Sequence, residues 1–62
     1  MKDREFEHKE GDMYDVTGIL KNGDRFVDRY KNPHVALAIN LWKGSVWQVR
    51  NGKRKLIKRV FN

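Results

Sequence analysis

Apolar residues recur at about every second position on both sides of Asn22-Gly23. Alternation of this kind is typical of a half-buried strand, and Asn-Gly is a preferred dipeptide in the turns of β-hairpins. The pattern therefore predicts two antiparallel strands, over residues 13–21 and 25–31, that are joined by a short loop.

The length of this first loop decides which side chains share a face of the hairpin. A three-residue loop, Lys21-Asn22-Gly23 with its glycine in the left-handed conformation, opposes Tyr14 to Tyr30. We favour it over a two-residue loop because it brings five apolar side chains onto one face: Tyr14, Val16, Leu20, Phe26 and Tyr30. It leaves Ile19 and Val27 on the outer face.

The middle of the chain has the apolar spacing of a helix. Four residues follow the i, i+3, i+4, i+7 pattern of one buried stripe: Val35, Ala38, Ile39 and Trp42. Asn32 is suited to the N-cap, Pro33 to the first helical position and Gly44 to the position that ends a helix. We therefore predict a helix over residues 33–43.

A second hairpin is predicted around Asn51-Gly52, with strands over residues 45–50 and 54–61. Both of its faces carry apolar residues, so the alternation alone leaves its register open. The two-residue loop that Asn-Gly usually forms would place Trp47 beside Leu56.

Two hairpins and one short helix are each marginally stable alone, so they are expected to pack together. The sequence predicts an α+β fold of order β-β-α-β-β, an antiparallel sheet of two hairpins with the helix packed on one face. Residues 1–12 are predicted to be a charged flexible tail, and residues 13–62 a single domain. Six side chains are expected to be mostly buried: Val16, Leu20, Phe26, Val35, Ile39 and Trp42.

Composition narrows the compartment and the class of function. The chain has 62 residues, a formal net charge of +6 and no cysteine, so disulfides and thiolate metal sites are excluded. No apolar run approaches the roughly 20 residues of a membrane span, and the N-terminus is too polar for a signal peptide. We expect a cytoplasmic protein without membrane contact, located in the host cytoplasm if a phage encodes it.

Catalysis and cofactor binding find little support in the sequence. His8 and His34 are far apart, and no His or Cys cluster has the spacing of a metal site. Ser45 and Thr17 have no neighbouring histidine and acid of a nucleophilic site. The acids of the first hairpin are better explained as cross-strand partners of cations, among them Asp15 opposite Arg29. We therefore expect no enzyme activity and no cofactor.

Positive charge is concentrated at the C-terminal end, where residues 43–62 contain seven cations and no acid, whereas residues 1–12 are acidic overall. One-sided cation density indicates a surface for a polyanion, DNA or RNA. A two-stranded ribbon fits the major groove, Gln48 could read base edges and Trp47 could stack on an unpaired base. The predicted nucleic-acid-binding residues are Trp47, Gln48, Arg50, Lys53, Arg54, Lys55, Lys58 and Arg59.

The apolar residues outside the predicted core leave a second function open. Ile19, Val27 and Leu37 could form an interface for an acidic host protein, whose activity the chain would inhibit, or for a second copy of the chain in a homodimer. The cations of the second hairpin also have a purely structural explanation, because lysines on an edge strand prevent unwanted strand pairing.

Part of the chain resembles small accessory proteins of tailed bacteriophages and prophages. The resemblance lies in Ile39-Asn40-Leu41-Trp42-Lys43-Gly44, followed by Trp47 and by Asn51-Gly52-Lys53-Arg54-Lys55. It covers about residues 39–62 and implies a virus-encoded accessory protein. It implies no particular activity.

Overall fold

One antiparallel sheet of four strands, with a single short helix, makes up the fold. The structure is a computed structural model, and it describes residues 6–61. The predicted α+β class is confirmed. The elements in chain order are β1 (Met13–Leu20), β2 (Arg25–Tyr30), α1 (Pro33–Ala38), β3 (Leu41–Arg50) and β4 (Lys53–Val60).

The strand order in the sheet is β2-β1-β3-β4, and every neighbouring pair is antiparallel. Strands β1 and β3 are therefore central, and β2 and β4 are the edges. The two hairpins lie side by side and are joined by the pairing of β1 with β3. A single four-stranded sheet results, with two distinct faces.

The register of the first hairpin is confirmed. Tyr14 pairs with Tyr30, and the backbone N–H of Leu20 donates to the carbonyl oxygen of Asp24 over 2.9 Å. Gly23 has a φ of +94°, in the region that favours glycine. The three-residue loop is therefore the one that forms.

The second hairpin has the two-residue loop that Asn-Gly favours. Asn51 and Gly52 have φ angles of +52° and +76°, as the primed turns of hairpins require. Trp47 pairs with Leu56, which settles the register that alternation left open. The register shifts next to this pair, and Ile57 is the extra residue of the resulting β-bulge.

The helix is shorter than predicted. It begins as expected, with the Asn32 side chain accepting a hydrogen bond from the His34 backbone N–H over 2.9 Å. It ends at Ala38, and Ile39 already has extended φ and ψ angles. The prediction of a helix to residue 43, ended by Gly44, is wrong because this part of the chain pairs with β1 as the start of β3.

Gly44 has a different role, in the middle of the sheet. It lies directly opposite Gly18 in the pairing of β1 with β3. A Cβ atom on Gly18 would overlap the carbonyl oxygen of Lys43 and lie 2.6 Å from the Cα of Gly44. A Cβ atom on Gly44 would overlap the carbonyl oxygen of Thr17 in the same way. The two central strands approach this closely only because both positions lack a side chain.

The core lies between the sheet and the helix. Its buried apolar residues are Tyr14, Val16, Ala36, Leu41, Val46 and Ile57. Burial of Val16 is confirmed, and Leu20, Phe26 and Ile39 are partly buried against this cluster. The predictions for Val35 and Trp42 are wrong, because these side chains are 44% and 43% exposed. The helix ends before the predicted buried stripe reaches Trp42, so Trp42 does not lie on the buried side of the helix.

Residues 6–12, here called the N-terminal segment, pack against the sheet. The ring of Phe6 meets that of Tyr14 edge-on, with 5.9 Å between the ring centroids. Asp12 is only 3% exposed and pairs with Arg50 of β3. The predicted charged flexible tail covers residues 1–12; in the structure residues 6–12 make these contacts with the sheet, and residues 1–5 lie outside the described part of the chain.

Candidate nucleic-acid interface

The two faces of the sheet differ in what covers them. The face that carries Tyr14, Val16 and Val46 holds the core, and the helix and the N-terminal segment pack on it; we call it the covered face. The opposite face, the open face, carries the alternate residues of every strand. Val27 on this face is 78% exposed. The open face is therefore the broad surface that the fold leaves accessible.

The strand registers arrange the open face in rows that cross the sheet. The first central row runs from β2 to β4 through Val27, Thr17, Ser45 and Arg59. The next row runs through Arg29, Asp15, Trp47 and Leu56. Short hydroxyl side chains thus occupy the middle of one row, and an indole ring lies in the row beside it.

Cations surround these two rows. The open face carries five basic residues, two on β2, one on β3 and two on β4: Arg25, Arg29, Lys43, Arg54 and Arg59. Among residues 6–61, Asp15 is the acid that the registers place on this face. The acids of the N-terminal segment lie on the covered side. Positive charge is therefore concentrated on the open face by the fold as well as by the composition.

Asp15 is neutralised by its neighbour on β2. The Arg29 guanidinium donates two hydrogen bonds to the Asp15 carboxylate, at 2.5 and 3.0 Å. These hydrogen bonds hold the pKa of Asp15 below its usual value, and the positive charges of Arg29 and Arg54 lower it further. The predicted opposition of Asp15 and Arg29 is confirmed, and the open face keeps a net positive charge.

Trp47 is half-buried and carries a cation on its ring. The guanidinium carbon of Arg54 lies 4.8 Å from the centroid of the indole. A cation above an aromatic ring is attracted by the ring's quadrupole, and this contact orients both side chains. Arg54 also lines a shallow depression of the open face, and the other residues that line it are Asp15, Thr17, Val27, Asp28 and Arg29.

The predicted binding residues do not all share one surface, although five of them line one shallow depression beside the second turn: Gln48, Arg50, Lys53, Arg54 and Lys55. Trp47, Arg54 and Arg59 lie on the open face, where the register confirms that Trp47 neighbours Leu56. Lys53 and Lys55 are exposed, but as partners of Arg50 and Gln48 they point to the opposite side of the sheet. The linear run of cations is divided because successive residues of a strand point to opposite faces.

Lys58 also lies on the covered side. Its ammonium group donates to the carbonyl oxygen of Leu37, at the end of the helix, over 3.0 Å. This contact satisfies a helix carbonyl that has no partner within the helix. Lys58 was predicted to belong to the binding surface; the structure separates it from the cations of the open face and uses its ammonium group to attach the helix to β4.

Gln48 is 5% exposed, and its amide nitrogen is used inside the protein. It donates to the Glu7 carbonyl oxygen at 2.8 Å, to the Asp12 carboxylate at 3.0 Å and to the Tyr14 hydroxyl at 3.2 Å. The prediction that Gln48 reads base edges is wrong, because a buried amide with these partners cannot reach a groove. It anchors the N-terminal segment instead.

Arg50 completes the same buried network. Its guanidinium donates to both carboxylate oxygens of Asp12, at 2.8 and 2.6 Å, and to the Glu7 carbonyl oxygen at 2.8 Å. These hydrogen bonds from Arg50 hold the pKa of Asp12 well below its usual range, despite the opposing effect of burial. The Arg50 side chain stays 38% exposed, but its charge is compensated by Asp12, which argues against its predicted role as a phosphate contact.

The residues of the alternative protein interface are also separated. Ile19 and Val27 lie on the open face. Leu37 lies on the helix and packs against the core, on the other side of the sheet. The three residues cannot form one continuous patch, so the interface in its predicted form is wrong.

Reasoning from the sequence missed three cations of the open face: Arg25, Arg29 and Lys43. Lys43 was assigned to the end of a helix, and the two arginines lie in the first hairpin, outside the C-terminal run of charge. The sequence contains a signal for the two arginines, because the three-residue first loop places Arg25 and Arg29 on the outer face of the first hairpin.

Comparisons with known proteins and searches for other kinds of site were negative. No protein family, curated protein or solved structure matches the chain. In residues 6–61, no three metal-binding side chains of His, Cys, Asp or Glu lie close enough to hold a metal ion. Within the same residues, no helix has the length and apolar character needed to cross a membrane.

Proposed function

We propose that this protein binds nucleic acid through the open face of its sheet. The observation that carries the proposal is the charge of that face, which combines five cations with one acid that is already paired with Arg29. Binding of a phosphate backbone to such a surface is favoured by the release of counterions. The proposed origin in a bacteriophage rests on sequence resemblance alone.

The arrangement of the cations supports a long, flexible polyanion as the partner. Arg25 and Arg29 lie on one edge strand, and Arg54 and Arg59 lie on the other. Three inter-strand spacings of about 4.8 Å separate the two edges, so the cations frame a surface roughly 14 Å wide. The polar and aromatic residues between them include hydroxyl groups and an indole, which suit contacts with sugars and bases.

Strand β4 offers a matched pair of variants for the test. Arg54→Gln/Arg59→Gln removes two positive charges from the open face. Lys53→Gln/Lys55→Gln removes the same number of charges from the same strand, but on the other side of the sheet. The two double variants have the same net charge. A difference in their binding therefore shows which face of the sheet contacts the nucleic acid, and it is not an effect of the total charge.

The measurement is the salt dependence of the dissociation constant for labelled oligonucleotides. Because Arg29 is paired, four cations remain for phosphates, and we expect a log–log slope of about −3 on single strands and about −4 on duplex. The open-face variant should flatten this slope by about 1.4 to 1.8, while the other variant leaves it nearly unchanged. If the two variants change the slope equally, binding through the open face is refuted. If the dissociation constants for all nucleic acids are weaker than roughly 10⁻⁴ M, nucleic-acid binding itself is refuted.

A further inference from the structure

We propose that the open face binds single-stranded nucleic acid in preference to duplex, with an unpaired base stacked on Trp47. This inference rests on the proposed nucleic-acid binding and names the class of substrate. Three observations carry it: the width of the sheet, the surroundings of the Trp47 ring and the positions of the cations beside it.

The sheet is too wide to lie in a groove of B-DNA. Four strands spaced about 4.8 Å apart span roughly 14 Å between the outer backbones, whereas the major groove is about 12 Å wide. The second hairpin is also not an independent ribbon. Met13 pairs with Val49, so in the described chain the Arg50–Lys53 pair and its turn are all that project beyond β1. Arg50 is paired with Asp12, so Lys53 is the cation that remains on this short projection.

The surroundings of the Trp47 ring combine one cation with short polar side chains. Arg54 lies against the indole, with its guanidinium carbon 4.8 Å from the ring centroid. The neighbours of Trp47 in the next row are Ser45 and Thr17, and Thr17 lines a shallow depression together with Arg54. These two hydroxyl side chains are short, so we place the unpaired base in this depression, against the part of the indole that Arg54 leaves uncovered. Aromatic stacking of this kind requires an unpaired base, because a paired base has its faces covered by its neighbours in the duplex.

Cations flank this stacking position along the strands. Arg54 lies opposite Val49, in the row on one side of Trp47, and Arg59 lies opposite Ser45, in the row on the other side. Two residues of a strand span about 6.8 Å, so the backbone positions of Arg54 and Arg59 are roughly 14 Å apart on either side of Trp47, and the Arg54 guanidinium reaches back to the indole. Lys43 continues the positive charge along β3. A single strand that crosses the face can therefore place a base on Trp47 and phosphates on both sides of it.

The test uses the full chain with the substitution Trp42→Phe, which leaves Trp47 as its one tryptophan. The probes are an oligothymidylate and an oligouridylate of about ten nucleotides, which matches common binding-site sizes, and the same oligothymidylate annealed to its complement. We expect the DNA or the RNA single strand to quench Trp47 fluorescence and to bind about tenfold more tightly than the duplex at equal salt. Equal or tighter binding of the duplex, or saturation by both single strands without quenching, would overturn the proposal.

Substitution of Trp47 gives a second, independent measurement. Trp47→Ala should weaken single-strand binding by about 5- to 150-fold, the range that corresponds to one stacked base, and should change duplex binding by less than about twofold. Trp47→Phe keeps an aromatic ring and should recover most of the loss. Val35→Ala, which removes an exposed apolar side chain from the helix on the other side of the sheet, is the control and should change neither affinity.

The outcomes separate this inference from the function on which it rests. If neither single strands nor duplex bind, nucleic-acid binding itself fails. If Trp47→Ala weakens both ligands equally, nucleic-acid binding stands and the stacking proposal is wrong. If Trp47→Ala does not fold, quenching of Trp47 fluorescence in the folded Trp42→Phe protein still shows whether an unpaired base stacks on this ring.

Discussion

Replacing Gly18 with alanine tests the close approach of the two central strands. The added Cβ atom would lie 2.6 Å from the Cα of Gly44, about 1 Å inside ordinary van der Waals contact, and would also overlap the Lys43 carbonyl oxygen. Because both contacts are with backbone atoms, no side chain can move to relieve them. The strands must separate locally, which loses one or two backbone hydrogen bonds worth about 0.5–1.5 kcal/mol each and adds about 1–3 kcal/mol of backbone strain.

Gly18→Ala should therefore lower the free energy of unfolding by about 2–5 kcal/mol, from a total of about 3–9 kcal/mol for a chain of this length. The assay is urea unfolding followed by circular dichroism. Gly23→Ala is the matched control, since Gly23 has a φ of +94° but no atom within 4 Å of an added Cβ. That variant should lose only about 1–2 kcal/mol from the unfavourable backbone conformation. If the two variants unfold at the same urea concentration, the argument from close strand approach is refuted.

Two further predictions concern the pH dependence and the core. The pKa of Asp12 is lowered in the folded state by hydrogen bonds from Arg50, so the Asp12–Arg50 pair stabilises the fold above about pH 4, the usual pKa of an aspartate, and this contribution is lost as the pH falls. The Asp12→Asn variant should therefore lose less thermal stability than the unsubstituted protein when the pH falls from about 5 to about 3. Parallel curves of melting temperature against pH would contradict the assignment of this pH dependence to Asp12. Ile57→Ala, at a fully buried position, should reduce the free energy of unfolding by about 2–5 kcal/mol, whereas Val35→Ala, at a position 44% exposed, should change it by at most about 0.5 kcal/mol. If urea unfolding shows that both variants lose a similar free energy of unfolding, the core has been assigned to the wrong side of the helix.

Features with a local cause could be predicted from the sequence. Both Asn-Gly turns, the register of the first hairpin and the helix start at Asn32 depend on residues within a few positions of each other. Features that depend on distant partners could not. The helix ends early because β3 pairs with β1, and the N-terminal segment is ordered by contacts such as that between Asp12 and Arg50, 38 residues apart.

The candidate site also divides into features that the local sequence predicts and features that depend on distant residues. A run of cations near the second turn is visible in the sequence, but strand alternation sends Arg54 and Lys55 to opposite faces. The partners that complete the open face, such as Arg29 and Thr17, come from the first hairpin and join it only through the pairing of β1 with β3. Local charge density alone therefore did not predict which cations share one face of the sheet.

The junction between β1 and β3 would also link the proposed binding to folding. Thr17 and Asp15 come from one hairpin, and Ser45 and Trp47 from the other, so the open face exists only when the hairpins are joined. A ligand that spans this junction binds the folded chain and not the separate hairpins. By mass action, a nucleic acid present at 100 times its dissociation constant would add about 2.7 kcal/mol to the free energy of unfolding. For a domain whose core contains six buried apolar residues, the bound ligand would then contribute a substantial part of the stability of the fold.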